Sequence, residues 1–328
     1  MADYRQAGVD LAGHDALIAH IAERAAEAAQ PGLLRGVGLF AGAFQLGDGP
    51  DDPVLCATTD SVGTKVLLAA QLGGHEVIGQ DVVIHCANDV VTLGAEPIFF
   101  LDYLAVHTLD NEWVEGILAG IAKACRQAGC ALLGGETAQM PDLYQPGSYD
   151  LAGTMVGTVR RQKLVEPCGV VGDVVVALPS SGLHTNGFSL VRRILRDRGV
   201  DLSRHRDTLL VPSALYSPDV LRLLRDGVSV HGMAHITGGG IGGNLNRVLS
   251  PVCDARIDPT AWERPSVFGW LQELGAVSED EMRRVFNLGV GFCLIVPPTE
   301  VAAVTARRPD ARVIGALVPG SGKVVFAC

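Results

Sequence analysis

Residues 57–65 read A-T-T-D-S-V-G-T-K and join a β-like run at 54–59 to an apolar, helix-like run at 66–72. The junction carries the carboxylate of Asp60, the hydroxyls of Ser61 and Thr64, Gly63 and Lys65. A carboxylate holds a hard divalent cation through oxygen, while a helix N-terminus and glycine N–H groups receive phosphate oxygens. The stretch therefore suits a polyphosphate site, or else a capped strand-to-helix turn that binds nothing. It is not a P-loop, because the lysine follows the threonine and the G-x-x-x-x-G-K order is absent. Only Lys123, Lys163 and Lys323 follow Lys65. A nucleotide held here would be neutralised mainly by metal, backbone and arginine.

Composition sets the frame outward from that stretch. With 328 residues, 48% hydrophobic and 19% charged, the chain can bury a large core and as a prior divides into two domains. No apolar run approaches the roughly 18 residues that span a bilayer, and the start M-A-D-Y-R-Q lacks a signal peptide's apolar core. The expectation is a cytoplasmic protein without membrane contact. A formal charge of −10 argues against a broad nucleic-acid surface and for small-molecule partners. The eight cysteines (Cys56, Cys86, Cys125, Cys130, Cys168, Cys253, Cys293, Cys328) form no C-x-x-C pair. They read as reduced core thiols, with the terminal Cys328 the one free to react.

Residues 10–29 follow an alanine-rich helical pattern that stops at Pro31-Gly32. Residues 35–44, R-G-V-G-L-F-A-G-A-F, contain Gly36, Gly38 and Gly42. Either they form a flexible cover over phosphates or they are a strand loosened by glycine. Residues 79–96 read as a helix ended by Gly94 and Pro97, with Asp81, His85, Asn88 and Asp89 on one stripe. An apolar helix carrying two carboxylates on one side has something for them to bind. A buried strand at 97–105, interrupted by Asp102, a helix at 110–127 capped by Asp110, a short strand at 131–133 entering G-G-E-T-A-Q-M-P, and a strand at 149–159 complete the first half.

The pattern breaks at residues 166–172, which sets domains of 1–169 and 170–328. The second half opens on a strand from Asp173, then a turn with Ser180, Ser181, His184, Thr185 and Asn186 ahead of a helix. Another glycine-rich turn, Thr237, Gly238, Gly239 and Gly240, lets backbone approach a ligand closely because no Cβ stands in the way. Neither turn holds a carboxylate. Donor-rich turns of that kind suit a metal-free monophosphate, whereas the acidic first half suits a metal-bound triphosphate. His85 and His107, lone histidines in structured segments, read as packed side chains.

The series A-G-V-D (7–10), D-S-V-G-T-K, N-D-V-V-T-L-G-A-E-P-I-F-F-L-D-Y, G-G-E-T-A-Q-M-P, S-S-G-L-H-T-N-G-F-S-L-V-R, H-I-T-G-G-G and F-N-L-G-V-G-F resembles the phosphoribosylformylglycinamidine cyclo-ligase family over nearly the whole chain. The resemblance implies ATP- and Mg2+-dependent cyclisation of formylglycinamidine ribonucleotide to 5-aminoimidazole ribonucleotide in de novo purine synthesis. It implies a mixed α+β and α/β architecture: an N-terminal sheet-and-helix domain that pairs strands across a homodimer, and a C-terminal layered α/β domain. Carried onto this sequence, the nucleotide falls to Gly36, Gly38, Asp60, Gly63, Thr64, Lys65, Asn88, Asp89, Gly135, Glu136 and Thr137. The metal falls to Asp60, Asp81, Asp89 and Glu136. The substrate falls to Ser180, Ser181, His184, Thr185, Asn186 and residues 237–240, with His184, Lys65 and Asn186 catalytic.

Departures are visible. Arg35, Leu39 and Ala41 replace glycines of the family's glycine-rich loop, Ser61 stands for glycine, Gln139 for glutamate and Leu183 for proline. Within the wider superfamily, selenophosphate synthetase is disfavoured because residues 35–44 hold no cysteine. The hydrogenase-maturation dehydratase shares a terminal cysteine, but V-V-F-A-C lacks its tail context. A nucleotide-sensing subunit without catalysis is the alternative from a different class, motivated by the eroded loop.

Overall fold

The computed structural model describes residues 3–327, without the side chains of residues 11, 12, 14–16 and 19; Cys328 lies outside the described residues. The strands are β1 Leu33–Arg35, β2 Gly42–Gln45, β3 Pro53–Ser61, β4 Glu96–Val106, β5 Ala131–Gln139, β6 Tyr149–Arg160, β7 Val174–Pro179, β8 Gly232–His235, β9 Cys253–Ile257, β10 Val290–Val296, β11 Arg312–Pro319 and β12 Val324–Phe326. The helices are α1 Leu11–Ala26, α2 Lys65–Leu72, α3 His75–Val91, α4 Asn111–Ala128, α5 Phe188–Asp197, α6 Arg206–Leu209, α7 Ser217–Arg225, α8 Gly240–Leu245, α9 Ser266–Gly275, α10 Glu279–Val285 and α11 Val301–Arg307. Two six-stranded sheets result, ordered β1-β2-β3-β6-β4-β5 and β12-β9-β11-β7-β10-β8. In the first only β4 and β5 run parallel, joined by α4; in the second only β9 and β12 do. A mixed architecture with a layered second half is what the motifs imply.

Several boundaries differ from the sequence reading for identifiable reasons. Strand β3 continues through Ser61 because Asp60 and Ser61 still pair with Gly153 and Ala152 of β6. Asp60 is thus a strand residue rather than a turn residue. Helix α3 starts a turn earlier than residue 79, after Gly73 in the left-handed region (φ 72) ends α2. Gly79 is a packing residue instead: a Cβ there would stand 2.0 Å from the Ile117 carbonyl oxygen, and one on Gly120 would stand 2.1 Å from that of Glu76. The backbones of α3 and α4 therefore touch at glycines. Strand β5 runs on through G-G-E-T-A-Q, where glycines suggested a turn, because each residue from Gly134 to Gln139 has a parallel partner on β4.

Helix α3 lies at the centre of the molecule, buried almost along its whole length. One hydrophobic core joins the inner face of the first sheet (Phe100, Met155) through α3 (Val82, Val83) to α5 and α9 of the second half (Leu190, Phe268). The second sheet packs α8 and Phe40 on one face and α7, α11 and Val91 of α3 on the other.

Lys65 and Asp81 form an ion pair at 2.5 Å with neither side chain exposed. Lys65 Nζ also donates to the Val211 carbonyl at 2.8 Å, and Asp81 accepts from the Ser213 N–H at 2.7 Å. Removing one partner of a sealed pair strands the other charge in the core, at a cost of about 3–5 kcal/mol. Lys65→Met is therefore expected to lower unfolding stability by roughly that amount in urea titration; a loss under about 1 kcal/mol would show that the pair is not sealed.

Candidate functional site at the junction of the two halves

The polar stripe of α3 has a partner at every position. Asp81 takes Lys65 and the backbone of Ser213. Asn88 donates to the Ala214 carbonyl at 2.9 Å and accepts from the Tyr216 N–H at 2.8 Å. His85 donates from Nε2 to Asp60 at 3.0 Å and meets Thr185 Oγ1 through Nδ1 at 2.8 Å. Asp89 accepts from His235 Nδ1 at 2.8 Å and lies 3.5 Å from the Thr58 hydroxyl. Residues 81 and 88 thus fasten the 211–216 segment, while 85 and 89 turn toward open space.

Two cavities meet there. The larger, of about 1440 Å³, runs from the glycine-rich loop (Gly36, Gly38) past Asp60 and Asp89 to Thr237, Gly238 and Gly239. The smaller, of about 330 Å³, is lined by Asp60, Gly63, Thr64, Thr185, Asn186 and the start of α5, with Tyr4 and Val9 of the N-terminal segment across it. Asp60 and Thr237 belong to both walls. Asn244 holds the 237–240 turn by donating to the carbonyls of Thr237, Gly238 and Gly240.

The electrostatics separate the histidines. Burial works against charge on His85, but Asp60 and the acidic groups around it prevail and raise its pKa to about 9. Burial pushes Asp60 up, and the His85 cation with the Ser61 N–H more than offsets this, so its pKa falls. Burial dominates at His235 and lowers it despite Asp89. The same desolvation, with nearby cations, takes His184 well below the usual range. At neutral pH His85 is an imidazolium, while His235 is neutral and donates Nδ1–H to Asp89.

A hard cation takes oxygen ligands. His85, Asp89 and His235 bring ligand atoms within 4.8 Å of one another. The imidazoles, however, already spend ring nitrogens on Asp60, Thr185 and Asp89. Two carboxylates facing a cavity, each oriented by a histidine, fit magnesium better than a nitrogen-seeking metal.

Other expected residues stand elsewhere. Lys65, Asp81 and Asn88 are consumed in joining the halves, so they are structural in place of ligating or catalytic. Gly135, Glu136 and Thr137 lie on the exposed edge strand β5. The register Asp60, Gly153, Asp102, Gly135 puts them three strands from Asp60, roughly 14 Å away in the same chain. Ser180 donates to Gly182 and Asn287, and Ser181 to Pro212. His184, in the left-handed region at φ 57, turns inward and accepts from the Ser181 and Ala214 N–H groups. Gly240 backs onto α10, where a Cβ would be 2.0 Å from the Arg283 carbonyl. His85, read from the sequence as a packed side chain, proves to hold Asp60. His235, the first residue of the H-I-T-G-G-G motif, is read from the sequence only as part of the turn, yet it holds Asp89, and Arg247, unremarked in the sequence, lines the larger cavity.

Residues 41–159 match the N-terminal and residues 170–327 the C-terminal domain of the AIR synthase related protein family. The chain is 47% identical over 341 residues to phosphoribosylformylglycinamidine cyclo-ligase from Synechococcus sp. (strain JA-2-3B'a(2-13)), covering 98% of this chain and 96% of the relative. It is 45% identical over 333 residues to the protein of that name from Xanthomonas oryzae pv. oryzae (strain PXO99A), covering 97% of each. Among solved structures, thiamine-monophosphate kinase from Stenotrophomonas maltophilia K279a superposes with a TM-score of 0.62 at 20% identity, over 92% of this chain and 93% of that one. Hydrogenase maturation protein HypE in complex with ATP does so with a TM-score of 0.64 at 20% identity, over 90% and 86%. At such identities the structures speak for the fold alone. A site built between two halves that both match, with relatives this similar over their full length, makes this chain a member of the phosphoribosylformylglycinamidine cyclo-ligase family.

Proposed function

We propose that the chain closes the imidazole ring of 5-aminoimidazole ribonucleotide, using ATP to activate the formamide of formylglycinamidine ribonucleotide and releasing ADP and phosphate. The observation that carries this reading is the shared wall: Asp60 and Thr237 line both cavities, so ligands in the two spaces would meet there. The larger, acidic cavity takes the nucleotide. The smaller takes the ribonucleotide, whose 5-phosphate suits the N-terminus of the ten-residue helix α5 beside Thr185, Asn186 and Ser189.

A formamide oxygen is a poor leaving group. Transfer of the γ-phosphoryl group onto it makes phosphate the leaving group. The ribose-bearing amidine nitrogen then attacks the same carbon, the C–O bond breaks, and a proton is lost as the ring forms. Such transfer asks for positioning and charge neutralisation more than covalent help. Asp60 and Asp89 would hold Mg2+, which supplies charge neutralisation on the transferred group. His85 keeps Asp60 ionised and fixed, and His235 does the same for the orientation of Asp89. Tyr4, tied by its N–H to Glu281 at 2.7 Å, shields the smaller cavity from water.

The reading includes a cytoplasmic homodimer. No helix among the described residues is long and apolar enough to cross a membrane. Edge strand β5 is exposed and unpaired on its outer side, and Ile98, Tyr103 and Leu133 stand out from the same region. An open apolar edge of that length invites strand pairing.

Two outcomes are expected. Asp60→Asn should keep the circular dichroism of the parent while product formation falls at least ~100-fold, the loss seen when one charge-stabilising group is removed; activity within about threefold of the parent at ordinary magnesium would contradict the role. In sedimentation the parent should run as a dimer and Leu133→Glu as a monomer, whereas a fully active monomeric parent would refute the pairing.

A further inference from the structure

We propose that Arg247 contacts a phosphate group in the larger cavity and that the ring of Phe40 holds it in position to do so. The proposal rests on the reading above in one respect, that a phosphorylated ligand enters this cavity. Its physical basis is a contact between the glycine-rich loop and the second half.

Phe40 belongs to the glycine-rich loop, yet its side chain is buried in the core of the second sheet with Val175, Ala234 and Ile236. Its carbonyl accepts from Thr58 Oγ1 at 3.0 Å, and that same hydroxyl lies beside Asp89. The loop is therefore pinned at its middle to both halves. Over this ring lies the Arg247 guanidinium, 5.1 Å from the centroid. Arg247 sits in the short turn after α8 and lines the larger cavity together with Gly238 and Gly239.

Three arginines line that cavity, and they differ in what they already hold. Arg35 pairs with Glu166 at 3.4 Å and Arg284 with Glu281 at 2.7 Å. Among the described residues Arg247 has no carboxylate within 4 Å, while its side chain is exposed to the cavity. A guanidinium stacked on an aromatic face keeps its in-plane N–H groups free, and these match two phosphate oxygens at once. Lys65 is sealed in its pair, and the carboxylates of Asp60 and Asp89 repel bare phosphate. His85 is already spent on Asp60, so among the described residues Arg247 is the cavity-lining arginine whose charge no carboxylate takes up.

The phosphate is that of the nucleotide or that of the ribonucleotide, and direct binding distinguishes the two. Calorimetric titration of the full chain with a non-hydrolysable ATP analogue plus magnesium, and separately with formylglycinamidine ribonucleotide, would be run on the parent, R247Q, R247K and Phe40→Leu. R247Q is expected to weaken one ligand by roughly 10- to 100-fold, the loss of a charge-assisted hydrogen bond, and to flatten the salt dependence of that ligand alone. R247K should recover part of the affinity, and Phe40→Leu should weaken the same ligand to a smaller degree. Weakening of the analogue assigns the contact to the nucleotide and supports the proposal; weakening of the ribonucleotide assigns it to the 5-phosphate, which supports the contact and overturns the placement of the two ligands proposed above. Parental affinity and salt dependence for both ligands in R247Q would overturn it alone. A parent that binds neither ligand would overturn it together with the proposed function.

Discussion

A helix buried on every side cannot leave a polar side chain without a partner, since each unpaired group costs about 1–3 kcal/mol and an unpaired charge more. Helix α3 carries Asp81, His85, Asn88 and Asp89 into that position, and the rest of the structure is arranged to answer them. Lys65 and the 211–216 segment answer Asp81 and Asn88, so the second half is bound to the first through hydrogen bonds that no water can replace. Asp60 with Thr185, and His235, answer the other two. What joins the halves also builds the site.

The consequence is a division among similar groups. Two carboxylates face the cavities and each is fixed by a histidine, yet the histidines differ in charge: His85 is raised to about 9 and His235 is lowered. The cation stands beside Asp60, where both cavities meet. A neutral donor at Asp89 leaves the two carboxylates with the single positive charge of His85 beside them, which would suit the divalent metal of the proposed reaction. The glycine-rich loop adds a second tie between the halves: Phe40 packs into the core of the second sheet, while its neighbours Leu39 and Ala41 pack on the core around α3 and the first sheet.

Much of this was readable beforehand. The stripe at 81, 85, 88 and 89 follows from helical period alone, and the Asp60 carboxylate suggests a cation ligand by its chemistry; the set Asp60, Asp81, Asp89 and Glu136 comes only from the family resemblance. What answers the stripe was not readable, because Asn88 and Ala214 are 126 residues apart and Asp89 and His235 are 146. Lys65 stood beside a threonine in a phosphate-like turn, and nothing local shows that its ammonium is sealed against Asp81. His184 sat among donors, but a positive φ turns it inward. The glycines at 134 and 135 read as a turn, and only the parallel pairing with β4 keeps them extended. Each miss concerns a tertiary partner overriding a local signal.

The central claim is that two ligands meet at Asp60, one giving a phosphoryl group to the amide oxygen of the other. The most direct measurement is the fate of that oxygen. Formylglycinamidine ribonucleotide carrying 18O in its formyl group would be turned over with unlabelled ATP and magnesium in ordinary water. Mass analysis of the released phosphate should find one 18O per molecule of 5-aminoimidazole ribonucleotide formed. Phosphate free of label, with the 18O recovered in water, would contradict phosphorylation of the amide and with it the meeting of the two ligands at that wall.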